Sequence, residues 1–205
     1  MKFSAIVTAH NSDPNPIIDC LQMQTSPPDE ILVGTSGDCS PVENRDGVLV
    51  KEFLDKSDYG YEKRNELAKS ATGDMLGFFS CDDSYRRDYI SLMTEVARLH
   101  RSDVVWCHWT SATNKVRHFF PFEFKPANAT LGNFIIRRNV FIRVGGFQPF
   151  SEAPNNFGYF DAGLFEKLNS EKYVTITEVP SILYFHNFPV DIRVIPTVWG
   201  RALNE

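Results

Sequence analysis

Apolar residues fall along this chain in two alternating rhythms. FSAIVTA (3–9), EILVG (30–34), GVLVKEF (47–53), DMLGFFS (74–80) and DVVWCHW (103–109) are short runs bounded by turn formers, which predicts strands. Between them apolar residues recur three and four apart: Ile17, Cys20, Leu21 and Gln24 share one helical face, and Ile90, Met93, Val96 and Ala97 share another within 86–100. Asn15 followed by Pro16 predicts an N-cap with proline in the first turn. TSPPD ends that helix, TSGDCS (35–40) reads as a turn, and YGYEKRNELAKSAT (59–72) predicts a helix ending near Gly73. Strand and helix alternate through the first half, which predicts an α/β fold with a mostly parallel, doubly wound central sheet flanked by helices.

The second half is less periodic. KVRHFFPFEFKPANAT (115–130) is aromatic and reads as a loop, and GNFIIRRNVFIRVGGF (132–147) as a strand entering a short helix closed by Gly145 or Gly146. YFDAGLFEKLNS (159–170) predicts an amphipathic helix; YVTITEV (173–179) and SILYFHNF (181–188) predict two closing strands. Repeats, low-complexity tracts and linkers are absent, so 1–205 is expected to form a single domain.

With 205 residues, 42% hydrophobic and 23% charged, the chain has the material for one substantial core. Its net charge of −5 argues against a general nucleic-acid or anionic-membrane surface, so an anionic substrate must meet local cations or a bound metal. Cys20, Cys39, Cys81 and Cys107 are widely spaced without a C-x-x-C pair, which disfavours a zinc cluster or a disulfide scaffold and suits a reducing compartment. The opening MKFSAIVTAHN has too short an apolar run for a signal peptide, and no run reaches spanning length. The expectation is a cytoplasmic protein, with peripheral membrane association left open.

The chemistry concentrates in MLGFFSCDDSY (75–85). The predicted strand delivers Asp82 and Asp83 to its carboxyl end, where open α/β sheets bind ligands. Hard carboxylate oxygens there suit Mg²⁺ or Mn²⁺, ions that keep waters and bridge to substrate phosphates. In isolation the same pair reads more readily as a solvated turn or a helix N-cap, since such turns are common.

Five segments in order change that balance. SAIVTAHN, PPDEILVGTSGD, KRNELAKSATGDMLGFFSCDD, GNFIIRRNVFIRVGGF and YFDAGLFEKL resemble successive elements of glycosyltransferase family 2, the inverting, nucleotide-sugar-dependent transferases with the Rossmann-like GT-A fold. The resemblance implies that Asp83 binds a Mn²⁺ or Mg²⁺ ion holding the donor diphosphate, and that Asp82 faces the donor sugar or supports the metal. It implies a further metal ligand in His186, for which a satisfied, partly buried histidine is the alternative. Arg64 would lie near the nucleotide or its diphosphate, suited to it by a planar guanidinium; a solvated helix face beside Glu62, Lys63 and Glu66 is the bland alternative. Ala9 and Asn11 would wall the nucleobase pocket opposite Thr35 and Ser36, and Gly132 and Asn133 would lie near the donor sugar. Asp161 would act as the catalytic base, although a helix N-terminus favours an acid there for its dipole alone. Residues 1–110 would then form the nucleotide-sugar half and 111–205 the acceptor half.

The implied reaction transfers a sugar from a nucleotide-diphosphate donor, uridine favoured, to the hydroxyl of a glycan or other acceptor, with inversion. A partner or a homo-oligomer would complete the acceptor site. The chain also departs from the pattern. Ser80, Thr35, Ser36 and Phe160 stand where the family often carries acids, which keeps open a nucleotide-sugar-binding module without catalysis. A metal-dependent nucleotidyltransferase is disfavoured, since TAHNSDPNP lacks the glycine- and base-rich phosphate loop. His10 is a lesser candidate for the nucleotide pocket, and the aromatic run at 118–124 either stacks on an acceptor sugar or packs under a loop.

Overall fold

The computed structural model describes residues 1–54, 60–111, 131–147 and 160–186. In chain order the elements are β1 (Phe3–His10), α1 (Asn15–Gln22), β2 (Glu30–Ser36), β3 (Val48–Glu52), α2 (Tyr61–Ser70), β4 (Met75–Ser80), β5 (Ser84–Tyr85), α3 (Tyr89–His100) and β6 (Val104–Ser111). A 3₁₀ turn (Leu131–Asn133) then leads into β7 (Phe134–Arg137), α4 (Arg138–Arg143), α5 (Phe160–Ser170) and β8 (Ile176–His186). All eight strands join one sheet in the order β3-β2-β1-β4-β7-β6-β8-β5.

The sheet is parallel through its first half, where β1 pairs with β2 and β4 and β2 pairs with β3. It becomes mixed where β7 runs antiparallel between β4 and β6, and β6 pairs parallel to β8. Helices cover both faces, so β1 is buried along nearly its whole length. Phe3, Ala5, Val7, Met75 and Phe79 turn one face towards Ile17 and Leu21 of α1 and Ile90, Met93 and Ala97 of α3. Ile6, Leu32, Leu76 and Phe78 turn the other towards Leu67 of α2, Phe141 of α4 and Leu164, Phe165 and Leu168 of α5. The period-2 alternation of strand side chains thus feeds two cores from one sheet.

Several local expectations need correction. Asn15 does not cap α1; it is the first helical residue, and Asp13 Oδ1 accepts from its N–H at 3.0 Å. Gln24 lies beyond the helix end, where its buried amide donates to Arg86 O (2.9 Å) and accepts from Ile90 N–H (3.2 Å). The helix expected over 86–100 begins at Tyr89. The two closing strands are one strand, β8. Its register against β6 slips between Cys107 and Trp109, and the extra β8 residues there include Pro180, which has no N–H to give a ladder. Gly145 (φ +86°) and Gly146 (φ +67°) do close α4, in a backbone conformation that suits glycine. The aromatic segment 115–130 lies outside the described residues. Among those described, no helix is long and apolar enough to cross a membrane.

Candidate functional site

The carboxyl ends of β1 and β2 meet the amino end of α2, and β4 runs parallel beside β1. Asn11 follows β1 with a left-handed φ of +48°, and its Oδ1 accepts from Asp38 N–H at 2.7 Å. That contact leaves its Nδ2 as a donor, 3.0 Å from His10 Nε2. Nε2 therefore accepts, Nδ1 carries the ring proton, and Nδ1 donates to Ser36 Oγ at 3.1 Å. The same oxygen accepts from Lys63 Nζ at 2.5 Å, and Lys63 also donates to Ala9 O at 3.2 Å. Lys63 and Arg64 both lie in the first turn of α2 and are buried, with Glu62 beside them. Two cations at a helix amino end create a field suited to a phosphate.

Short strand β5 carries the acids to the other side of this end. Ser84 pairs with Phe185 and Tyr85 with Tyr184 in an antiparallel ladder. One step further along that register, Asp83 faces His186, and opposite residues of an antiparallel pair point to the same face. Asp83 Oδ1 accepts from His186 Nδ1 at 2.9 Å, and Asp83 Oδ2 accepts from the Tyr184 hydroxyl at 2.9 Å. The Tyr184 oxygen is also 3.0 Å from His186 Nδ1. Asp83 is 1% exposed. Burial pushes its carboxyl above the usual range, the His186 hydrogen bond opposes this, and the neighbouring Asp82 charge adds to it.

The residues singled out from sequence are therefore distributed unevenly. Asp83 and His186 are in contact, and Asp82 is exposed next to them. Ala9, Asn11 and Ser36 lie at the ends of β1 and β2, with half-buried Thr35 last but one in β2, and Arg64 is buried in α2 one residue after Lys63. Gly132 and Asn133 lie deeper. Tyr89 donates to Gly132 O at 3.0 Å, and fully buried Asn133 donates from Nδ2 to Cys107 O at 3.1 Å. A Cβ at Gly132 would come within 2.4 Å of both the Tyr184 ring and the Tyr85 hydroxyl. Asp161 stands second in α5, and its side chain lies outside the described residues, as do 118–124. A cavity of about 500 Å³ opens between β3 and α2; it includes Lys63 but none of Asp82, Asp83 and His186, so the geometry of the strand ends is the better guide.

Sequence reasoning missed Tyr184. Its signal was available: it stands two residues before His186 on a strand, hence on the same face. Lys63, named from sequence only as part of the helix face beside Arg64, bridges β1 and β2.

Without its bridging proton, the acid–imidazole pair would suit a divalent ion. Two ligands on adjacent corners of an octahedron with metal–ligand distances of about 2.1 Å stand roughly 3 Å apart, and Asp83 Oδ1 and His186 Nδ1 are 2.9 Å apart. No group of three or more His, Cys, Asp or Glu side chains converges among the described residues. Such a site suits an ion that takes its remaining ligands from diphosphate and water. All four cysteines are free thiols. Burial pushes Cys20 and Cys107 upwards and Cys81 up to about 11, so none of these three is primed as a nucleophile.

The profile of the family described as Glycosyl transferase family 2 matches residues 4–156. Comparison with curated proteins gives no match. Among solved structures, S. aureus TarS 1-349 superposes with a TM-score of 0.65 at 18% identity, over 91% of this chain and 60% of that one. TarS 1-349 in complex with UDP-GlcNAc gives 0.66 at 20% identity, over 90% and 58%. Its complex with UDP gives 0.64 at 17%, over 90% and 60%. The likeness is one of fold, and this chain spans about 60% of the length of TarS 1-349.

Proposed function

Because the chain belongs to glycosyl transferase family 2, we propose that it transfers a sugar from a nucleotide-diphosphate donor to an acceptor hydroxyl, with inversion and with Mn²⁺ or Mg²⁺. The observation that carries this reading is the Asp83–His186 contact of 2.9 Å, at the same end of the sheet as the Lys63–Arg64 turn. Uridine is the favoured nucleoside, supported by the UDP-GlcNAc and UDP complexes of TarS. When bound, the ion offsets the negative charge that builds on the departing diphosphate.

The remaining work falls to side chains. Arg64 and the amino end of α2 attract the diphosphate, Lys63 holds the ends of β1 and β2 in register beneath the nucleoside, and Asp82 faces the donor sugar. Asp161 takes the proton of the acceptor hydroxyl as its oxygen attacks the anomeric carbon opposite the leaving group, and that single displacement inverts the centre. Residues 111–205 supply the acceptor side, completed by a partner or a second copy.

Two measurements test this. UDP and UDP-sugars should raise the melting temperature more with Mn²⁺ than without, and Asp161→Asn should abolish transfer while donor affinity stays within about threefold, a loss of under ~0.7 kcal/mol. Full turnover by Asp161→Asn would remove it as the base. A binding module without catalysis is the second reading, favoured by Ser80, Thr35 and Phe160 at positions where acids are common in the family. Donor binding with neither transfer nor donor hydrolysis across a broad acceptor panel would select it.

A further inference from the structure

Asp83 does not hold its place alone. Its carboxylate is buried at the start of a two-residue strand, and both oxygens are engaged by β8. The Tyr184 hydroxyl has one hydrogen, which goes to Asp83 Oδ2. Its oxygen also lies 3.0 Å from His186 Nδ1, whose proton, bonded to Asp83 Oδ1 here, must leave before an ion can take that nitrogen. The phenol's hold on Asp83 Oδ2 does not depend on that proton, so it fixes the rotation of the carboxylate with or without an ion. The phenol is itself fixed: its ring stacks on Tyr85 at 5.2 Å and 27°, Trp109 lies 6.3 Å away, and Gly132 presses on it where any side chain would collide.

We propose that Tyr184 is a positioning residue for divalent-ion binding: by holding Asp83 Oδ2 it turns Oδ1 towards His186 Nδ1, the two atoms that would share one ion. The inference rests on the metal-dependent reading above. Groups that orient metal ligands through hydrogen bonds are worth roughly 10–100-fold in metal affinity. Tyr85 supplies an internal control. It is an equally buried tyrosine in the same stack, but its hydroxyl has no hydrogen-bond partner. Replacing either tyrosine by phenylalanine keeps the ring and removes one oxygen, and only one of those oxygens touches Asp83 and His186.

The experiment is calorimetric titration of UDP into wild type, Tyr184→Phe and Tyr85→Phe, each with and without Mn²⁺, alongside the electron paramagnetic resonance signal of free Mn²⁺. Tyr184→Phe should weaken Mn²⁺ binding by about tenfold or more, with metal-free UDP affinity unchanged. Tyr85→Phe should match wild type in both. Tyr184→Phe binding Mn²⁺ as wild type does, or Tyr85→Phe losing as much, overturns the inference and leaves the metal-dependent reading intact. A wild type whose UDP binding ignores Mn²⁺ overturns that reading and the role of Tyr184 with it.

Discussion

Gly132→Ala is the sharpest test of how the site is packed. The added methyl would stand 2.4 Å from Tyr184 Cε2, 2.4 Å from the Tyr85 hydroxyl and 2.7 Å from Tyr184 Cζ. Carbon atoms in contact normally lie about 3.5–4.0 Å apart, so the two rings must give way by roughly 1 Å. Both are essentially fully buried, leaving no free space to move into. Forcing a methyl group into a packed core costs about 1–3 kcal/mol. A shift of roughly 1 Å also stretches the 2.9 Å Tyr184–Asp83 bond past hydrogen-bonding range, adding about 1–2 kcal/mol. The expected loss is about 2–5 kcal/mol, read by urea denaturation as a lower midpoint with an unchanged m-value. Adding Tyr85→Phe removes one of the colliding atoms and should restore about 1 kcal/mol, a coupling visible in a double-mutant cycle. Tyr85→Phe alone should be neutral or mildly stabilising, because it deletes a buried hydroxyl without a partner. A Gly132→Ala loss below about 0.5 kcal/mol, or a double variant no better than the single, refutes the close approach.

Two further outcomes follow from groups outside the stack. Glu30 is pushed up by burial, but hydrogen bonds from the Ser4 hydroxyl, the Thr72 N–H and hydroxyl and the Gly73 N–H outweigh this and lower its pKa. Its stabilisation is present above the unfolded pKa, about 4.3, and is lost as pH falls through the lower folded value; Glu30→Gln should therefore melt earlier at neutral pH and show a shallower acid limb in melting temperature than wild type, and equal acid limbs would contradict the assignment. Cys81, held up to about 11, should react with a thiol-specific disulfide reagent at pH 8 far more slowly than an unperturbed cysteine, and labelling by mass spectrometry at the rate of a free peptide thiol would count against its burial.

The alternation of short apolar runs with helical spacing was enough to place most strands, because a sheet covered on both faces needs uninterrupted apolar segments such as FSAIVTA and MLGFFS. Asp83 was legible for the same reason: charge directly after such a run has to lie at a sheet end. What the pattern could not carry was pairing between distant segments. β5 is two residues long and has no periodicity of its own; it exists because Ser84 and Tyr85 meet Tyr184 and Phe185 about a hundred positions later. Pro180 hid the continuity of β8, since a proline inside a strand ordinarily argues for a break, and here a register slip against β6 accommodates it. Gly132 and Asn133, expected from the resemblance to lie near the donor sugar, are bonded to Tyr89 and Cys107 within the core.

Lys63 joins the ends of β1 and β2. A carboxylate at the end of β2 would itself accept hydrogen bonds; Ser36 offers one neutral oxygen instead, and that oxygen is taken by Lys63 and His10. The ammonium also reaches Ala9 O and so ties the two strand ends together from below. In a chain of net charge −5, Lys63 and Arg64 place two buried cations at the amino end of α2. A diphosphate placed there is drawn by the protein's own field as well as by any ion that Asp83 and His186 hold. Donor binding should accordingly keep a measurable metal-independent part, and because both cations are buried that part should fall with added salt less than contacts to exposed charges would.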